Sequence, residues 1–117
     1  MTIANRTLST FAALLLPLYA LAHSHATSTT PANGAVLKAA PTEFVINLNE
    51  AAKLTKVTLQ KTGEPDAKDV GPLPADAQQH IRIPAPKLSA GEYTLRYRAL
   101  SDDGHVVPGT LKFTVAP

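Results

Sequence analysis

Four histidines and nine carboxylates supply the ligand chemistry of this 117-residue chain, which has no cysteine. One of them, His23, stands directly behind Ala20-Leu21-Ala22. Small residues at the first and third positions of that triplet, after an apolar run, make a signal-peptidase site. Cleavage there turns His23 into the first residue of the exported protein. Its α-amine and imidazole then form one chelate ring, which no internal histidine can offer. The amine has a reference pKa of about 7.7–8.0, so a metal displaces its proton near neutral pH at small cost. Far downstream, Asp103-Gly104-His105 places a carboxylate and a second imidazole two residues apart. If that segment is extended, both side chains point to one side, and Gly104 lets the loop approach a bound ion closely. Asp103 then either ligates directly or accepts a hydrogen bond from a ligand. Without thiolates the donors are nitrogen and oxygen, which suits Cu(II) in a tetragonal set rather than Cu(I).

His25 offers an alternative. As the third residue of the exported chain it can bind Cu(II) through the amine, the intervening deprotonated amides and its own ring. That mode needs a flexible N-terminus, whereas the first needs an ordered one beside His105. A pre-organised site avoids an ordering cost, so the favoured set is His23, Asp103 and His105, holding one copper per chain. Zinc accepts the same ligand types, but the affinity order of divalent metals favours copper. His80, in Gln78-Gln79-His80-Ile81, reads as exposed and inert.

Residues 1–22 have the parts of an export signal: basic Arg6, then an uncharged Leu/Ala-rich run from Phe11 to Ala22. The run is shorter than the roughly 20 apolar residues of a membrane span, and no later segment is apolar enough to cross. The expectation is a soluble, monomeric periplasmic protein of residues 23–117, long enough for one domain with a modest core. Arg6 leaves with the signal, so ten cations face nine acids. The sequence holds no basic cluster and no aromatics interleaved with basic residues, so nucleic-acid binding has no support in it.

The elements that must position these ligands are strands. Phe44, Ile46 and Leu48 alternate with polar or outward residues; so do Val57 and Leu59, Ile81 and Ile83, Tyr93 through Ala99, and Leu111, Phe113 and Val115. This is the period-2 pattern of half-buried strands. Turn formers separate them, among them Asn33-Gly34, Gly63-Glu64-Pro65-Asp66, Ala90-Gly91 and Pro108-Gly109. Such a pattern predicts one all-β domain, an antiparallel sandwich or Greek-key barrel. Ala35 to Ala40 reads as a short helical patch ended by Pro41. Thr62 to Gln79 reads as a long loop with one helical turn at Ala75-Asp76-Ala77.

Three stretches together resemble the CopC-type periplasmic copper-resistance domain: His23 with Ser28 to Leu37, Phe44 to Glu50, and Gly91 to Gly109 with its Ser101-Asp102-Asp103-Gly104-His105 element. The resemblance spans essentially all of residues 23–117. It implies a seven-stranded immunoglobulin-like or cupredoxin-like Greek-key sandwich that binds one Cu(II) through His23, Asp103 and His105. It also implies a CopD-like inner-membrane partner in copper resistance or uptake. Two departures stand out. Tyr97 occupies a position where the family often has Trp, and the sole methionine, Met1, leaves no methionine site for Cu(I).

Two other classes compete. An N-terminal histidine chelate also serves copper enzymes that cleave polysaccharides, but those need exposed aromatics, and Phe44, Tyr93, Tyr97 and Phe113 all fall on core positions of the alternation. No second acid or base accompanies the ligands, so catalysis is not expected. A metal-free immunoglobulin-like interaction module shares the fold class, and an exported chain starting anywhere other than His23 would favour it.

Overall fold

A computed structural model describes residues 25–117. The expected cleavage site and His23 lie outside the described residues. Seven strands follow in chain order: β1 (Ala26–Thr30), β2 (Ala35–Leu37), β3 (Glu43–Lys61), β4 (Lys68–Asp69), β5 (Gln78–Pro84), β6 (Gly91–Ser101) and β7 (Val106–Val115). Strand order runs β1-β3-β6-β7-β2, with β4 and β5 also on β3. This is the all-β Greek-key sandwich expected from the sequence, one sheet curled so that its apolar face closes on itself.

β3 makes the curl possible. The sequence shows two separate alternations here, and the structure joins them into one 19-residue strand. Its first half lies between β1 and β5, its second half between β4 and β6. Two irregularities break the ladder. Four residues of β3 between Asn47 and Ala52 face a single residue of β5, which bends the strand from one layer into the other. Thr55 is the extra residue between Leu54 and Lys56. It reverses the parity, so that the inward set passes from Leu54 to Val57 and Leu59.

Alternating residues of the two layers meet in the core. Phe44, Ile46, Ile81, Ile83 and Leu95 are at most 1% exposed. Phe113 in β7 crosses the sandwich, its ring centroid 5.7 Å from Phe44 and 5.4 Å from Tyr93. Burial of side chains this size stabilises the fold by roughly 1.5–3 kcal/mol each. Gly109 is needed for a different reason: a Cβ there would lie 2.0 Å from Cζ of Tyr97, its partner across β6 and β7.

Two local expectations are corrected. Ala35–Leu37 is not helical but a strand parallel to β7; hydrogen bonds to a neighbouring strand outweigh the helix preference of Ala and Leu over so short a span. The segment from Thr62 to Gln79 contains β4 and the start of β5, and Ala75-Asp76 is a bend with no helical turn.

Candidate metal centre

The β6–β7 hairpin presents Asp103 and His105 on a short, closed turn. The Gly104 N–H donates to the Ser101 carbonyl at 3.0 Å, and the Ser101 N–H donates to the His105 carbonyl at 3.0 Å. Gly104 has φ +84°, a left-handed conformation that glycine adopts without strain. The segment is therefore a turn rather than the extended stretch the spacing suggested. Asp103 and His105 still meet, because the turn folds the carboxylate back over the ring.

Both carboxylate oxygens of Asp103 are engaged. Oδ2 lies 2.7 Å from His105 Nδ1. Oδ1 accepts from the His105 N–H at 3.2 Å and from the Ser101 hydroxyl. The same hydroxyl lies 3.1 Å from the His105 carbonyl and is buried. The Ser101 hydroxyl above all, then the ring and N–H of His105, hold the Asp103 carboxyl well below the usual carboxylate range. An ionised carboxylate only accepts, so Nδ1 of a neutral His105 carries the ring proton and Nε2 carries the lone pair that a metal would use. A carboxylate behind a metal-binding imidazole fixes its orientation and raises its basicity.

The start of the described chain comes to the same place. His25 precedes β1 and pairs with Asn49: the His25 N–H donates to Asn49 Oδ1 at 2.6 Å, and the Asn49 N–H donates to the His25 carbonyl at 3.0 Å. Asn47 has Ser28 of β1 on one side and His80 of β5 on the other; Ala52 has Gln78 of β5 and Ser101 of β6. β1 and β6 thus occupy the same edge of β3, opposite β5. They run in the same direction and meet end to start, β6 ending opposite Ala52 and β1 beginning beside Asn49. Three strand residues span at most roughly 10 Å.

His80 is exposed, as expected, and its Nδ1 lies 2.9 Å from Asn47 Oδ1. It stands on the β5 side of β3, away from the hairpin. Among the described residues no three His, Cys, Asp or Glu side chains form a metal-holding group. Two residues of the site had no role assigned from sequence: Ser101, the donor to Asp103, and Asn49, which pins the chain at His25. An Asn in the middle of an otherwise apolar-alternating strand is the one hint at the second, since Asn is depleted in strands.

A family model for the CopC domain matches residues 26–116. The chain belongs to the CopC domain family. Copper resistance protein C of Escherichia coli is 34% identical over 107 residues, covering 82% of this chain and 83% of the relative. Protein YobA of Escherichia coli K12 is 33% identical over 99 residues, covering 80% and 79%. Among solved structures, CopC from Methylosinus trichosporium OB3b superposes with a TM-score of 0.69 at 26% identity, over 81% of this chain and 95% of that one. PcoC of Escherichia coli, described as a methionine-rich copper resistance protein, superposes with a TM-score of 0.58 at 30% identity, over 80% and 99%. This CopC-family chain is not methionine-rich: its one methionine is Met1.

Proposed function

We propose that this CopC-family protein is exported to the periplasm, begins there at His23 and carries one Cu(II) for copper resistance. His23 supplies its amine and ring, His105 supplies Nε2, and Asp103 orients His105 and lies within reach of the ion. The Asp103–His105 contact at 2.7 Å carries this reading, because it sets the ring nitrogen that faces a metal. The topology supports it: His23 is tethered two residues ahead of His25, at most roughly 7 Å along the chain, and His25 is fixed at the junction where β6 ends and β1 begins. Nitrogen and oxygen donors without cysteine or an internal methionine favour Cu(II) over Cu(I).

The role is carriage rather than catalysis. Phe44, Tyr93, Tyr97 and Phe113 are all buried, so the aromatics of the described residues offer no platform to a polysaccharide. A CopD-like inner-membrane protein is the proposed recipient of the copper. The reading is tested by placing one extra residue ahead of His23 in the exported protein and titrating Cu(II). The added residue removes the amine from the chelate ring, so affinity drops by orders of magnitude. Unchanged affinity would overturn the N-terminal assignment.

A further inference from the structure

The outer face of the β3–β6–β7 ladder is basic, and it ends at the Ser101–His105 hairpin. In register, Lys53 stands opposite Leu100, Lys56 opposite Arg98, and Thr58 opposite Arg96. The next strand adds Val106 opposite Leu100 and Pro108 opposite Arg98. Directly opposite residues share a face. The alternate residues Leu54, Val57, Tyr97, Ala99 and Val107 are buried, so Lys53, Lys56, Arg96 and Arg98 project outward, and all four are exposed. Neither stretch is a basic run in sequence; pairing β3 with β6 assembles the cluster. Among the described residues none of the four is ion-paired. The nearest carboxylate in register is Asp69, opposite Thr58 on the other edge of β3.

Like charges placed directly opposite destabilise a sheet, so the Lys56–Arg98 pair costs stability that an opposite charge at either position would recover. The ten cations and nine acids of residues 23–117 nearly balance, so this cationic cluster, with Asp69 at its margin, is a matter of distribution rather than of net charge. Lys56, Thr58, Arg96, Arg98, Pro108 and Thr110 line a trough of about 460 Å³ on it. At the hairpin end Leu100 and Val106 are 41% and 60% exposed, side by side and next to the Asp103–His105 turn.

We propose that this face docks an acidic segment of a partner protein, its carboxylates over Lys53, Lys56, Arg96 and Arg98 and an apolar side chain against Leu100 and Val106. A concave trough, with Leu100 and Val106 exposed beyond it in register, matches an extended chain, whereas an anionic bilayer presents a plane. Charge complementarity of this kind mainly sets encounter rate and orientation, and the orientation brings the partner to the His105 turn. The inference stands on the face itself and does not depend on how copper is ligated.

The test uses the exported protein and a synthetic peptide with Glu at every second position and one terminal Leu. Amide-shift mapping places the peptide on residues 53–58 and 96–100, and binding weakens with added salt as screening predicts. R96E/R98E weakens binding at least about tenfold through like-charge repulsion, while K38E/K87E, the same charge change at lysines that do not line the trough, stays within about twofold. If R96E/R98E loses its dispersed amide spectrum, K53E/K56E replaces it with the same expected loss. Equal losses in the control pair, shifts confined to another surface, or binding of phosphatidylglycerol vesicles but not of the peptide would each overturn the proposal.

Discussion

Two imidazoles in this CopC-family protein make the same contact in different settings. His105 Nδ1 lies 2.7 Å from Asp103 Oδ2, and His80 Nδ1 lies 2.9 Å from Asn47 Oδ1. In each case a side-chain oxygen orients the ring and leaves Nε2 with the lone pair. The partner of His105, however, is an ionised carboxylate, itself fixed by the buried Ser101 hydroxyl. The partner of His80 is a neutral amide whose Nδ2 donates to Ser28 Oγ at 2.9 Å. A carboxylate strengthens the ring as a donor to a metal; an amide only aims it. Location completes the contrast: the His105 turn ends β6 where β1 begins, while His80 stands across β3 from that junction. A histidine is fitted to a metal by its partner and its place, not by exposure.

Removing each ring in turn gives the largest expected effect. His105→Ala lowers Cu(II) affinity by more than the roughly 10–100-fold that loss of an outer hydrogen-bond partner costs, whereas His80→Ala leaves it unchanged. A comparable loss in both would show that copper does not distinguish the two settings. Asp103→Asn converts the first pair into a copy of the second, and its cost falls within that roughly 10–100-fold range; isothermal titration at one pH decides it. Ser101→Ala leaves Asp103 charged but less firmly held, so its effect is smaller still, below about tenfold.

The smallest effect is on the metal-free hairpin and follows from acid. Asp103 titrates well below the usual carboxylate range in the folded state. Its contribution is therefore present above the unfolded value of about 3.9 and is lost as pH falls from there toward the folded value. The Gly104 and His105 amide shifts should report no Asp103 titration until pH drops below that unfolded value. A midpoint at the ordinary carboxylate value would mean that the Ser101 and His105 contacts do not hold in solution.

Much of the fold is legible in the residues themselves. The inward sets Phe44-Ile46-Leu48, Tyr93-Leu95-Tyr97-Ala99 and Leu111-Phe113-Val115 are all buried as the alternation requires. The continuity of β3 is not legible, because the bend after Asn47 and the extra residue Thr55 interrupt the period that marks a strand. β2 is invisible to propensity because three residues are held by pairing with β7. Asp103 and His105 are legible as ligand types at useful spacing, but the turn that joins them depends on Ser101, and a serine at a strand end carries no signal of its own. The basic face is hidden for a related reason: its four cations alternate with apolar residues in two distant strands and become neighbours only through the β3–β6 register.

In the proposed site, copper bridges the N-terminal His23 and the His105 turn. The most direct test of that bridge is the Cu(II) EPR spectrum of exported protein whose first residue has been established by mass, recorded beside that of His105→Ala. The expected result is a mass beginning at His23, one tight axial site per chain, and a changed spectrum in the variant. An identical spectrum would move copper to the His23-Ser24-His25 mode and contradict the assignment.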